Sequence, residues 1–372
     1  MKFRISFVFI FFYGIILSAQ GNVNLYSFFV AGHTYGKPGV NNIGFHPPFK
    51  QKFNYIRSRP EIVFGVLTGD IVSPGPTSQD WDEIDADIDD LGLPVYFAVG
   101  NHDMENRSLF ESRYGSTYYS FVYENDLFIV LDPNIDAWNI TGDQLDFLKN
   151  TINNKAASSD HIYVFFHQIL WKEIDNQFSY ISWNSDAGRA ATVNFWSTVM
   201  PLFRSLCNEV VMFAGDLGAS WSSNVTYDRF DNITLIASGM GDPDGENFIV
   251  VNVANDKSVH YDLICLSDSN LNCLGLLRDY LQVHALDAPP ANKLCDVQVF
   301  PNPASNQISI RYQSRNDISI QLLNIQGKLV LEKHYTDNKL QHVLTVSRFP
   351  RGLYFIRVSD QGYQSSHSLI LK

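Results

Sequence analysis

Gly100-Asn101-His102-Asp103 follows directly on the apolar run Val95-Tyr96-Phe97-Ala98-Val99. An amide, an imidazole and a carboxylate at the end of such a run can ligate a metal or move a proton. The glycine lets the backbone turn sharply enough to present them. Four other apolar runs end in a similar way. Residues 25–30 lead to Ala31-Gly32-His33, 62–67 to Thr68-Gly69-Asp70, 162–166 to His167, and 209–214 to Gly215-Asp216. His33, Asp70, Asn101, His102, His167 and Asp216 together offer nitrogen and oxygen donors that suit a divalent metal such as manganese, iron or zinc. Taken singly, each has a plainer reading, as a histidine satisfied in the core or a Gly-Asp turn. Five such run ends in succession favour a shared site.

The elements that must position these residues can be read from periodicity. The five runs are buried-type strands. Trp81, Ile84, Ile88 and Leu91 stand at helical spacing and predict a helix over 81–91. Helices are also expected over 49–57, from Thr141 as a cap, and over 192–206, where Pro201 kinks or divides the element. Residues 118–122 and 127–131 flank Glu124-Asn125-Asp126 as a hairpin, and 233–237 and 248–253 add strands. Strands alternating with helices give an α/β domain, and such sheets gather their chemistry beyond the carboxyl ends of the strands. Asp85, Asp87 and Asp89 are spaced like a calcium loop, but Asp90 stands where that loop needs glycine, so a solvated helix face is expected. The polar turn 239–247 could face the site or bind calcium, and reads more simply as a hairpin connection. From residue 297 onward the chain becomes a series of short β runs with turns between them, a small all-β sandwich.

In order and content the strand ends resemble the calcineurin-like metallophosphoesterases. Motifs of that family run Asp-x-His, Gly-Asp, Gly-Asn-His-Asp/Glu, a lone His and Gly-His-x-His. Gly69-Asp70 and Gly100-Asn101-His102-Asp103 match in full, and His167 follows Tyr163-Val164-Phe165-Phe166 where the lone His belongs. The resemblance covers residues 23 to about 263. It implies a β-sandwich flanked by helices, with metal at the strand ends. Two motifs depart from the pattern, the first reading Ala31-Gly32-His33 and the last Gly215-Asp216-Leu217-Gly218. Of one metal's four family ligands only His33 and Asp70 remain. The other metal keeps Asp70, Asn101 and His167, with Asp216 in place of a histidine. The resemblance therefore implies one ion on Asp70, Asn101, His167 and Asp216. His102 corresponds to the catalytic histidine, Asp103 is expected to orient it, and His33 is left for a new role. Without a two-metal clamp, two functions stay open. One is a secreted mononuclear phosphoesterase using metal-activated water. The other is a degenerate relative that binds a surface glycan or phosphate group without turnover, with or without an ion.

The C-terminal segment has its own resemblance. Val299-Phe300-Pro301-Asn302-Pro303, Leu323-Asn324-Ile325-Gln326-Gly327-Lys328, Gly352-Leu353-Tyr354-Phe355 and the closing Ser368-Leu369-Ile370-Leu371-Lys372 resemble a type IX secretion sorting domain. That implies the type IX machinery as a partner, passage across the outer membrane, and release or attachment at the cell surface. An ordinary carbohydrate-binding sandwich is the alternative.

Bulk properties agree with export and with two folded parts. The net charge of −12 over 372 residues argues against a nucleic-acid partner. Residues 1–294 hold 18 Lys and Arg against 34 Asp and Glu, while 295–372 hold 9 against 5, so the sign changes along the chain. Lys2 and Arg4 precede an apolar stretch over 5–17 and then Ser18-Ala19-Gln20-Gly21, the layout of a secretory signal peptide over 1–19. No later stretch approaches the ~20 apolar residues of a membrane span. The expected organisation is a phosphoesterase-like domain over 23–265, a linker over 266–294 containing Ala288-Pro289-Pro290, and the sorting domain over 295–372. Cys207, Cys265, Cys273 and Cys295 show no CxxC spacing. Cys265 and Cys273 could close a small loop, or all four could be free and buried.

Overall fold

The computed structural model describes residues 24–372 apart from 41, 231, 242–243, 268, 283–291, 294–296, 313–316, 337–338, 340 and 361–362. The expected signal peptide, Ala288-Pro289-Pro290 and Cys295 lie outside the described residues. Strands β1 Asn24–Ala31, β2 Ile62–Thr68 and β3 Val95–Ala98 run parallel, and β10 Asn247–Ala254 and β11 Val259–Cys265 extend them antiparallel, in the order β11-β10-β1-β2-β3. A second sheet is built from β4 Tyr119–Tyr123, β5 Asp126–Val130, β6 His161–Phe165, β7 Glu209–Ala214, β8 Val225–Phe230 and β9 Ile233–Ser238. Its order is β4-β5-β6-β7-β9-β8, with β5, β6, β7 and β9 parallel.

The central strands are apolar on both faces because both faces are covered. Phe28, Phe64, Phe128, Tyr163, Phe165 and Phe213 fill the space between the sheets. Outside the first sheet lie α1 Pro47–Lys50, α2 Phe53–Arg57, α3 Ser78–Leu91 and α4 Arg107–Tyr114, which contribute Phe49, Trp81, Ile84 and Phe110. Outside the second lie α5 Gly142–Lys155 and α6 Met200–Arg204, with Leu148, Ile152 and Phe203. The expected sandwich flanked by helices is the fold.

Several local expectations shift for identifiable reasons. Helix α3 starts at Ser78 because the Asp80 carboxylate accepts from the Thr77 N–H at 2.7 Å. The predicted helix over 49–57 is divided into α1 and α2, and the one over 192–206 into a π-turn over Phe195–Val199 and α6, which holds Pro201 in its first turn. Thr141 does not cap α5; its hydroxyl donates to Asp136. The acidic face of α3 is not simply solvated. Asp87 is buried and accepts from the Phe45 N–H at 2.8 Å, and Asp85 accepts from the Arg113 guanidinium.

Residues 266–281, expected as linker, instead pack on the first domain. Cys265 and Cys273 form a disulfide, and Leu266 and Leu277 are buried in two of its core clusters. The C-terminal part has the sheet order β12-β19-β18-β15-β16, from β12 Asn292–Lys293, β15 Ile318–Asn324, β16 Leu329–Tyr335, β18 Gly352–Asp360 and β19 Tyr363–Leu371. A second sheet contains β13 Gln298–Phe300, β14 Gln307–Arg311 and β17 Gln341–Thr345. Ile308, Ile310, Ile320, Leu322, Ile356 and Leu369, drawn from both sheets, make one core, as in an immunoglobulin-like sandwich. Among the described residues no helix is long and apolar enough to cross a membrane.

Candidate metal centre

Strands β1, β2 and β3 are parallel, so His33, Asp70 and Asn101-His102 leave the same edge of the first sheet. The parallel strands β6 and β7 deliver His167 and Asp216 from the second. The two edges meet because glycines let them approach. A Cβ on Gly100 would stand 2.2 Å from the Asp70 nitrogen, and one on Gly215 would stand 1.9 Å from the Thr68 oxygen. His33 and Asp70 themselves adopt left-handed backbone, with φ of 56° and 49°. Such conformations persist only where the surroundings over-determine them, and they cluster at functional sites.

Asp70 is the hub. Its Oδ2 lies 3.4 Å from His167 Nε2, 3.5 Å from His102 Nε2 and 3.7 Å from His33 Nε2. Asp216 Oδ1 lies 3.7 Å from the same His167 Nε2. Each imidazole is anchored through its other nitrogen. His33 Nδ1 donates to the Met240 carbonyl at 2.9 Å, and His167 Nδ1 to the Thr68 carbonyl at 2.8 Å. His102 Nδ1 pairs with Glu105 Oε1 at 3.1 Å. A carbonyl only accepts, so the first two rings carry hydrogen on Nδ1 and, when neutral, turn a bare Nε2 toward Asp70. That anchoring is the usual support of a metal-ligating histidine.

Among the described residues, His167 Nε2 and both oxygens of Asp216 are buried without a hydrogen-bond partner. Buried polar atoms are rarely left so, and here the carboxylates of Asp70 and Asp216 both face His167 Nε2. A cation or a proton must fill the gap. With protons alone, burial opposes charging His167, but Asp70 beside it raises the imidazole to about 10. Burial pushes Asp216 up to about 7 and Asp103 up to about 6, and drives His33 down to about 4. Asp70 is held far below the usual carboxylate range against the effect of its burial, chiefly by His167.

Among the described residues, no group of three or more His, Cys, Asp or Glu side chains is arranged so that it could hold a metal ion. Two pairs of the expected donors nevertheless have the spacing of ligands to one ion. Ligands about 2.1 Å from a common tetrahedral centre stand about 3.4 Å apart, and His167 Nε2 lies 3.4 Å from Asp70 Oδ2 and 3.7 Å from Asp216 Oδ1. The unpartnered atoms of His167 and Asp216 and the anchored His167 ring have the chemistry to suit a divalent ion between them and Asp70.

Not every expected residue takes its expected place. Asn101 is half-buried in the turn that carries His102. Asp103 does not orient His102. Its Oδ1 accepts from the Ile71 and Val72 N–H groups at 2.9 and 3.1 Å, and its Oδ2 from Gly100 at 2.8 Å, so it braces the turns around Asp70. The partner of His102 is Glu105, three residues on, a spacing that sequence inspection could have flagged. Tyr35 packs against His33 and His102 with no motif to announce it. The turn after β9 is more than a connection, because its Met240 carbonyl holds His33.

Comparison with known proteins agrees with the motif order. Residues 33–193 match the calcineurin-like phosphoesterase family, a span that ends before β7 and Asp216. Residues 298–372 match the secretion system C-terminal sorting domain. A stretch of 76 residues is 25% identical to an endo-acting ulvan lyase of Formosa agariphila, covering 20% of this chain and 14% of that one. The chain thus spans about a seventh of that relative's length. A protein with an immunoglobulin-like β-sandwich fold from Bacteroides vulgatus overlaps 21% of this chain and 86% of its own, at 15% identity and a TM-score of 0.19. CopC from Methylosinus trichosporium overlaps 20% of this chain and 90% of its own, at 17% identity and a TM-score of 0.16. Scores this low carry no argument. The family matches do: the chain carries a calcineurin-like phosphoesterase domain over residues 33–193 and a C-terminal sorting domain over 298–372 that marks it for export across the outer membrane, to the surface or beyond.

Proposed function

We propose that this exported protein is a phosphoesterase that works with one divalent ion held by Asp70, Asn101, His167 and Asp216. The observation that carries the reading is the convergence of three anchored imidazoles on Asp70 Oδ2, beside the unpartnered atoms of His167 and Asp216. Bound there, the ion would supply Lewis acidity to a phosphoryl oxygen and lower the pKa of a water. The chain's own residues do the rest. His102 is the most accessible of the three rings, its side chain 24% exposed, and Glu105 fixes its orientation. Its Nε2 can donate to a phosphate oxygen or leaving group. His33 is buried and neutral at ordinary pH, so its Nε2 is an acceptor that can hold a water or hydroxyl. Asp103 keeps both turns in register.

A second ion has no support on the other side. Ala31 offers only a buried methyl group. At Gly218, φ is 100° and an added Cβ would stand 2.5 Å from the Met240 nitrogen. That closure is also what favours a second reading, in which the domain binds a phosphate group or glycan without turnover.

Elemental analysis of the full chain after loading with manganese, iron or zinc tests the site. About one ion per chain, lost in Asp216→Ala, is the expected result. His102→Ala is expected to keep the ion and lose at least about 100-fold in hydrolysis of p-nitrophenyl phosphate. A protein that takes up no ion and turns over no phosphoester would sink the enzyme and leave the binding protein.

A further inference from the structure

Tyr35 belongs to none of the motifs, yet its ring stands between two of the imidazoles. Its centroid lies 4.5 Å from that of His33 and 5.6 Å from that of His102, the second edge-on. Its main chain is fixed from both sides. The Tyr35 N–H donates to the Asp70 carbonyl at 3.2 Å, and the Asn42 amide donates to the Tyr35 carbonyl at 2.8 Å. Only 3% of the residue is exposed. Its hydroxyl bonds to no other described residue and is not one of the buried unpartnered atoms, so it is open to solvent or a ligand.

The other walls of the site explain what that hydroxyl is for. Asp70, Asp216 and Asp103 are carboxylates, and His33 presents an acceptor. A bound phosphate would meet negative charge on every side except at the ion and His102. On the His33 side, Ala31 and Gly218 supply no donor side chain. A phenol keeps its proton below pH about 10 and is there a neutral O–H donor.

We propose that Tyr35 is a catalytic residue whose phenol O–H donates a hydrogen bond to a non-bridging oxygen of the bound phosphate on the His33 side. The proposal rests on the phosphoesterase reading above. It gives the site a donor that the motifs do not contain, and it assigns the substrate's phosphoryl group to the space bounded by His33, Tyr35 and His102.

Tyr35→Phe in the full chain tests it, since the ring packing against His33 and His102 is kept and only the hydroxyl is lost. Ion content and melting temperature are expected to stay at the wild-type level. The affinity for inorganic phosphate, measured by calorimetry, is expected to fall about tenfold, and kcat for p-nitrophenyl phosphate about tenfold or more, with a smaller change in KM. Wild-type phosphate affinity and kcat in the variant would overturn the proposal. A drop in ion content or melting temperature would also overturn it, by showing a structural role. If the wild-type chain binds phosphate without hydrolysing esters, the phosphoesterase reading fails, and the phosphate affinity of the variant still decides the role of Tyr35. If it binds no phosphate at all, both fail.

Discussion

His33, Asp70, His102, His167 and Asp216 could be named from the sequence because each follows an apolar strand at a turn. Their partners could not. The group that fixes the tautomer of His33 is a backbone carbonyl 207 residues away, and the one behind His167 is 99 residues away. Carbonyls have no letter in a sequence. Asp103 was legible as part of a motif and illegible as a brace, since its role depends on two turns meeting. Gly218 is the reverse case, where the letter itself records what the backbone requires. A histidine there would have to adopt φ near 100° and overlap the Met240 nitrogen. We expect Gly218→His to lower stability by more than about 1 kcal/mol in urea denaturation and to add no second ion. A stable variant holding two ions would show that this loop yields where the structure has it closed.

At the scale of elements, the strands buried on both faces were the easiest to read, and two of the four edge strands in the first domain, β8 and β11, were missed. β8 and β11 mix polar and charged residues with apolar ones, as in Val225–Phe230 and Val259–Cys265, because an edge strand is only partly covered. What ties the elements together is also partly polar. At the N-terminal ends of β5 and β6, far along the strands from the candidate centre, Asp126 Oδ1 accepts from the His161 N–H at 2.9 Å and from His161 Nδ1 at 2.8 Å. His161 Nε2 donates to the Lys257 carbonyl at 2.8 Å, and the Tyr26 hydroxyl donates to Asp126. The cluster joins β1, β5, β6 and the β10–β11 turn. Burial alone would lower the His161 pKa, but the bond to Asp126 raises it above its ordinary value. A raised histidine favours the folded state fully below its unfolded pKa of about 6.5, and that contribution is lost as pH rises through the folded value. His161→Gln should therefore cost about 2 kcal/mol at pH 6 and less at pH 9, read from urea midpoints. An equal loss at both pH values would mean that the ring is held by packing and not by its charge.

For the whole molecule, the change of charge sign and the appearance of short β runs located two folded parts correctly. The C-terminal core is a cluster of its own, with no residue shared with the three clusters of the first domain. The end of the first domain was harder to read, because residues 266–281 have neither strand nor helix periodicity. Their anchoring is a disulfide, a few leucines and the single turn Leu277–Tyr280. Leu266 and Leu277 are 3% and 2% exposed, and Leu271, Leu274 and Tyr280 pack beside them. A domain cut after residue 265 loses this cover, bares the core beneath and leaves Cys265 unpaired. Removing two buried leucines alone costs several kcal/mol, at roughly 2–5 kcal/mol each. We therefore expect a chain of residues 24–282 to unfold at a clearly higher urea concentration than one of 24–265, by at least about 3 kcal/mol in stability. The longer chain should also keep whatever ion and phosphate affinity the full protein has, since Asp70, His102, His167 and Asp216 all lie within it. Equal stability of the two fragments would make 266–281 the linker that composition alone predicts.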